Sequence, residues 1–64
     1  MIYFQINKNR NNFSQPYWWV IKSAGNHQVL ATSEMYARKQ SAMDAISLVR
    51  TSSSLAEVYD NTGE

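Results

Sequence analysis

The sequence predicts an α+β domain in which an antiparallel sheet packs against one helix, with the elements in the order β-β-β-α-β. Three observations carry this prediction. Three short segments rich in aromatic and β-branched residues occupy the first half of the chain. A segment with apolar residues at helical spacing follows them. A last short segment, residues 55–59, has the composition of a strand.

Length and composition limit what else the chain can hold. With 64 residues, it has room for one domain, predicted over residues 1–64. A domain this small buries only roughly 60% of the surface that its unfolded chain exposes, so it gains from disulfides, metals or oligomerisation. The chain has no cysteine and one histidine, so we expect no disulfide, no structural zinc site and no cofactor. Oligomerisation is the remaining aid.

The charge balance gives little support for a polyanionic partner. Six Lys and Arg residues stand against five Asp and Glu residues, for a net charge of +1. The basic residues are scattered, whereas nucleic-acid binders usually carry a clustered excess. Neither a signal-peptide pattern nor an apolar run of membrane-spanning length is visible. We therefore expect a cytoplasmic protein with no membrane partner, and we do not favour a nucleic-acid partner.

The first predicted strand, residues 2–6, is short and rich in β-forming side chains. Its Phe4 and Ile6 share one face, because side chains two residues apart point the same way. Residues 7–15 contain four asparagines, which is typical of turns. Phe13 is the apolar residue of this loop, and it either caps the edge of the core or is exposed at the loop tip.

The second predicted strand, residues 17–22, gives the strongest β signal in the chain. A strand with one buried face normally alternates apolar and polar residues, but here both faces are partly apolar. One helix covers only one face of a sheet, so the apolar side chains on the other face need a different packing partner. The first face carries Tyr17, Trp19 and Ile21, and the second carries Trp18, Val20 and Lys22.

A hairpin and a helix continue the pattern. Residues 23–27 include Gly25, which takes positive φ readily, and they join the second strand to a third at residues 28–33. Residues 38–50 have apolar side chains at helical spacing but no good N-cap, and Arg50 suits the negative end of the helix dipole. The predicted core collects one apolar face of each element: Phe4, Ile6, Trp19, Ile21, Ala42, Ile46 and Val49.

Several segments together carry a family resemblance. The most specific is the Ala-x-Ser-Glu-x-Tyr pattern in residues 29–36, which is followed by a lysine-bearing helix. Residues 3–6 and the alternating Tyr17 and Trp19 add to it. In this combination, residues 2–60 resemble the YegP-like family of small bacterial and archaeal proteins. The resemblance implies a β-β-β-α-β fold, tandem copies in some chains, and homodimers for single-copy members.

Ser33, Glu34 and Tyr36 form the candidate polar cluster. They would be a binding site on a functional interpretation, or a strand-to-helix corner in which side chains satisfy free backbone groups. We favour the structural interpretation because such a corner needs those bonds in any case. His27, the one imidazole, lies in a predicted turn without an evident nucleophile or carboxylate. We predict no catalytic, cofactor-binding or metal-binding residue, and we do not expect an enzyme.

The biochemical activity is not evident from the sequence, and the favoured function class is a small homodimeric structural or interaction module. The second face of the second strand supplies the candidate dimer interface, Trp18 and Val20, helped by Leu30 or Tyr59. In a two-fold dimer each copy presents the same patch. The competing arrangement is a monomer whose asparagine-rich loop shields this face, with Phe13 folded over Trp18.

An alternative function is weak binding of single-stranded nucleic acid on an aromatic sheet face. Phe4, Tyr17, Trp18 and Trp19 would stack the bases, as sheet aromatics do in some RNA-binding modules. The same side chains are what a core or an interface needs, and little clustered positive charge accompanies them. We favour a core or interface role for these aromatics.

Overall fold

Three strands and one α-helix dominate the computed structural model, which describes all 64 residues. Strand β1 spans Ile2–Lys8, β2 spans Tyr17–Ser23 and β3 spans Val29–Thr32. The strands form one antiparallel sheet in the order β1-β2-β3, which places β2 at the centre. Helix α1, Lys39–Ser52, packs on one face, and a short 3-10 helix, Ser53–Leu55, follows it. The α+β class predicted from the sequence is confirmed.

Asparagine side chains shape the loop between β1 and β2. The N–H of Asn9 donates to the carbonyl of Pro16 at 2.7 Å, which closes the loop just beyond the last strand pair. The Oδ1 of Asn12 accepts the N–H groups of Ser14 and Gln15 at 3.2 and 3.1 Å. These are the local bonds for which asparagine is favoured in turns, and they explain why the composition predicted a loop here.

Strand β3 is short and irregular. Its register with β2 shifts, because Ala31 lies opposite Ile21 while Val29 lies opposite Lys22. Leu30 is therefore the extra residue of a β-bulge. The bulge leaves only a brief stretch of regular pairing on this side of the sheet.

Helix α1 presents its apolar side chains to the sheet. It begins after Arg38, which has an extended backbone and makes no side-chain cap, in agreement with the weak start signal in the sequence. Ala42 and Ile46 are buried, and Val49 is partly buried beside them. Arg50 lies in the last turn, where its charge interacts favourably with the helix dipole. No helix of the chain is both long enough and apolar enough to cross a membrane.

The core has the composition that the sequence predicted, but it is small. The seven predicted residues belong to one cluster, in which three are buried and the rest are partly buried. Only five of the 64 residues are buried, and the large apolar side chains that are exposed include Ile2, Leu30, Leu55, Val58 and Tyr59. A single copy therefore leaves much of its apolar surface uncovered.

The final strand predicted at residues 55–59 is wrong for the single chain, whose order is β-β-β-α. Leu55 ends the 3-10 helix, and residues 56–64 contain no helix or strand. The N–H of Ala56 makes only a local bond, to the carbonyl of Ser53 at 3.2 Å. Apolar composition predicts that a segment suits a strand, but a strand forms only where another strand supplies backbone partners.

The molecule is more extended than its length requires. Its radius of gyration is 13.7 Å, whereas a compact domain of this length has a value of about 10.7 Å. Its longest dimension is 41 Å, against 27 and 23 Å in the other two directions. Residues 56–64 are all exposed, so this segment lies outside the layered part of the fold.

Candidate interaction surface

An apolar trough lies over β1, on the face of the sheet that carries the helix. Helix α1 packs mainly over β2, so this face of β1 is only partly covered. The resulting cavity has a volume of about 700 Å³. Phe4 and Ile6 line it from the sheet, and Met43, Ile46 and Val49 line it from the helix. The trough is thus an opening into the side of the core.

The two ends of the trough are distinguishable. Arg50 and Ser53, near the end of α1, line it together with Ile2 and Tyr3, at the start of β1. Tyr36, just before α1, pairs with Tyr17, which lies opposite Lys8, so the helix starts at the Lys8 end and delivers the chain to the N-terminal end of β1. The opposite end of the trough lies toward Lys8, where β1 finishes.

Strand β1 is also an open edge of the sheet. It pairs with β2 on one side only. Because an edge strand presents a row of unpaired N–H and C=O groups, it is a template for the addition of another strand. The open edge and the apolar trough lie side by side along the same seven-residue strand.

The C-terminal segment, defined here as residues 55–64, carries apolar side chains without cover. Val58 is 94% exposed, and Leu55 and Tyr59 are also largely exposed. Three of the five acidic residues of the chain also lie in this segment, namely Glu57, Asp60 and Glu64. Apolar residues thus dominate the first half of the segment, and two acids lie in the second half.

The carboxylate of Asp60 is held by Thr62. The N–H and the hydroxyl of Thr62 donate to its Oδ1 at 3.0 and 2.7 Å. These two bonds lower the pKa of Asp60, so it stays charged further into the acid range. Elsewhere in the segment, the Tyr59 hydroxyl donates to Glu57, and this bond raises the pKa of Tyr59.

A second, polar cavity lies in the loop at the far end of β1. It has a volume of about 360 Å³, and Lys8 and Arg10 are among its lining residues, with no acidic residue. The Nζ of Lys8 lies 5.4 Å from the centre of the Tyr17 ring, within cation–π range. Phe13 also lines this loop cavity and is 94% exposed. It therefore lies exposed at the loop, and it provides no cover for Trp18.

The four residues predicted as a dimer interface occupy different environments. Val20 is only 4% exposed within the single chain, so it offers little surface to a partner. Trp18 is half-buried, and Leu30 is exposed at the β3 bulge. Tyr59 lies in the C-terminal segment, away from the sheet's strands. The structure therefore does not gather the four into one sheet patch.

The polar cluster predicted at the strand-to-helix corner serves the backbone. The Oγ of Ser33 accepts the N–H of Trp19 at 2.9 Å and donates to the carbonyl of Glu34 at 2.7 Å. Tyr36 exchanges two backbone bonds with Tyr17, at 3.0 and 2.6 Å. Neither cavity is lined by any of the three predicted residues. These bonds support the structural interpretation.

We predict that Ser33→Ala lowers the free energy of unfolding by about 1–3 kcal/mol, because it leaves the partly buried N–H of Trp19 without its acceptor. Urea denaturation followed by tryptophan fluorescence measures this loss. Ser41→Ala, at an exposed position of α1, is the control and should change stability by less than about 0.5 kcal/mol. Equal effects at the two sites would contradict the structural role.

His27 lies in the turn that was predicted for it and is exposed. Its φ of 59° is left-handed, an uncommon conformation for a residue other than glycine. The hydroxyl of Tyr3 lies 2.9 Å from the Nδ1 of His27, and the two rings form an edge-to-face pair. The contact joins the start of β1 to the turn between β2 and β3.

The aromatic residues do not form one exposed sheet face. Phe4 and Trp19 pack edge to face, with ring centres 5.6 Å apart, on the helix side. The indole N–H of Trp19 is buried without an acceptor. Trp18 lies opposite Asn7 in the strand register, on the other face of the sheet. Three of the four aromatics proposed for base stacking, Phe4, Tyr17 and Trp19, therefore belong to the core cluster.

Comparison with known families identifies the chain's relatives. The model of a family described as a domain of unknown function, DUF1508, matches residues 14–60. The chain belongs to this family. No curated protein and no solved structure gives a significant match to this DUF1508 chain.

The extent of the match bears on the C-terminal segment. The DUF1508 region begins in the loop before β2, includes α1 and continues to residue 60. The apolar residues Leu55, Val58 and Tyr59 therefore lie inside the family domain, although no strand pairs with them in the single chain. Sequence composition identified these apolar residues. The trough and the loop cavity form between elements of the fold, so no local sequence pattern predicts them. The one sequence feature that could have pointed to the loop cavity is the close spacing of Lys8 and Arg10.

Proposed function

We propose that this DUF1508 chain is a homodimeric interaction module without catalytic activity, and that it is a YegP-like protein. The observation that carries the proposal is the pairing of an unfilled apolar trough beside an open sheet edge with an unpaired apolar segment. In the proposed dimer, the C-terminal segment of each copy adds as a strand to β1 of the other. Ala56 and Val58 of the segment then face the trough.

The direction of the added strand follows from the ends of the trough. Because α1 delivers the chain to the N-terminal end of β1, the segment enters there and runs toward Lys8, parallel to β1. Side chains two residues apart share a face in a strand. Ala56 and Val58 therefore point together toward the trough, while Glu57 and Tyr59 point to the opposite face.

A second copy is a better occupant than the segment's own chain. The segment leaves the 3-10 helix with Ala56 in an extended conformation and makes no backbone bond to the sheet. The radius of gyration is also larger than that of a compact domain. Exchange between two copies uses the same contacts twice, since a two-fold interface is self-complementary. A domain this small gains stability from such added burial.

The proposal that the chain is not an enzyme is supported by the lining of its cavities. The trough is lined by apolar residues with only Tyr3, Arg50 and Ser53 as polar groups. The loop cavity contains no carboxylate and no histidine. A nucleophile with an adjacent general base, the usual requirement of covalent catalysis, is therefore not present in either cavity.

Single-stranded nucleic acid is the less supported candidate. Base stacking needs exposed rings beside a positively charged groove. Trp19 is buried and Phe4 packs against it, and the net charge is only +1. The geometry thus favours the use of these aromatics within the fold.

Sedimentation equilibrium over a range of micromolar concentrations tests the dimer. We expect a mass near twice the 7.4 kDa of one chain, falling as the protein is diluted. A mass near 7.4 kDa at every concentration would refute it. Trp18→Glu distinguishes the two candidate surfaces: it should leave the mass unchanged if the trough is used, and reduce it if the other sheet face is used.

A further inference from the structure

We infer that the loop cavity binds the acidic end of the C-terminal segment of a second copy, with Asp60 of that copy placed between Lys8 and Arg10. This inference rests on the proposed dimer and adds a specific ionic contact to it. Four features of the structure lead to it: the order of side chains along β1, the length of the segment, the face on which the side chains lie, and the charge of the cavity.

The order of chemistry along β1 matches the order along the segment. Along β1 the apolar trough comes first, between Ile2 and Ile6, and the basic loop cavity follows at Lys8 and Arg10. Along the segment apolar residues come first and Asp60 follows. The two orders coincide only if the segment runs parallel to β1, which is the direction already set by the end of α1.

The lengths agree as well. Strand residues advance by roughly 3.3 Å each. If Leu55 lies level with Tyr3, Val58 lies level with Ile6 and Asp60 lies level with Lys8, the last residue of β1. Arg10 belongs to the loop immediately beyond. No stretching or looping of the segment is needed to bring its carboxylate to the cavity.

The faces agree because both strands alternate with the same period. Lys8 shares a face of β1 with Phe4 and Ile6, which line the trough. Asp60 shares a face of the segment with Val58, the residue proposed to enter the trough. An added strand that places Val58 in the trough therefore places Asp60 on the side of Lys8.

The charges are complementary. Lys8 and Arg10 line a cavity with no acidic residue, while Asp60 carries a carboxylate kept ionised by its bonds to Thr62. The loop is held in shape by its asparagine bonds, so the two cations need little rearrangement. Arginine also binds carboxylates through two parallel N–H donors, which gives the contact a preferred geometry.

Charge reversal tests the contact in the full chain. We expect Arg10→Glu and Asp60→Arg each to raise the dimer dissociation constant about tenfold, because each dimer contains the contact twice. The variant that carries both changes should return to within about twofold of the starting value, since it restores an opposite pair. Glu57→Arg is the control: it makes the same charge change in the same segment on the opposite face. Sedimentation equilibrium gives the constants, and circular dichroism verifies that each variant is folded.

The results separate this contact from the dimer itself. A wild-type dimer that is unaffected by Arg10→Glu and Asp60→Arg would overturn the contact and leave the proposed function standing. Two weakened single variants whose combination is weaker still would also overturn it, because the two residues would then act independently. A monomeric wild type would remove the dimer and this contact together.

Discussion

Ile46→Ala lowers the free energy of unfolding by about 2–5 kcal/mol, the usual cost of truncating a core isoleucine. Ile46 is 8% exposed and belongs to the central cluster with Trp19 and Ala42. Its side chain also lines the trough, so its removal both loses packing and widens an existing opening. This places the loss among the largest expected for a single substitution in the chain.

Leu48→Ala is the matched control for Ile46→Ala. Leu48 lies on the same helix, is 66% exposed and should cost less than about 0.5 kcal/mol. Both variants are compared by urea denaturation at one protein concentration, since the stability of a dimer depends on concentration. Equal losses at the two positions would show that the apolar face of α1 is misassigned.

Val58→Asp raises the dimer dissociation constant on the order of 100-fold or more. Full burial of a valine side chain is worth about 1.5–3 kcal/mol, and the proposed dimer buries two such side chains. Every factor of ten in affinity corresponds to about 1.4 kcal/mol. The introduced carboxylate adds a desolvation cost in an apolar trough. Sedimentation equilibrium measures the change.

Leu48→Asp controls for the general effect of an added acid. It makes the same kind of change at an exposed position that lines neither cavity, and it should leave the dissociation constant within about threefold, as expected for a surface site. If Val58→Asp is equally harmless, the segment does not occupy the trough, even if the protein is dimeric.

The elements that could be predicted from sequence are those whose pattern is local. Period-two spacing identified Phe4 and Ile6 as core residues, and helical spacing identified Ala42 and Ile46. The structure confirms these assignments. Local spacing is sufficient here because the apolar face of a strand or helix is buried whichever element packs against it. Asparagine composition located the first loop for the same reason, since its bonds are made within the loop itself.

The final strand, which was predicted wrongly, and the environments of Val20 and Phe13 depend on information from elsewhere in the fold. A strand at residues 55–59 requires another strand with unpaired backbone groups beside it. No sequence pattern shows whether that strand belongs to the same chain or to a second copy. Val20 was assigned to the interface because its face of the sheet lacked a helix, and it is buried within the single chain. The sequence left open whether Phe13 caps the edge of the core or is exposed at the loop tip. The loop geometry decides this, and Phe13 is exposed.

The bulge at Leu30 bears on how many copies can assemble. Beyond β3, the chain continues along β2 through the Ser33 and Tyr36 bonds, so this margin of the sheet is short and irregular. Such margins resist the addition of a further strand. With β1 as the one regular margin, pairing in the proposed dimer closes after two copies, whereas a sheet receptive on both sides would grow into filaments. In the proposed assembly, the irregularity of β3 thus sets an upper limit of two copies.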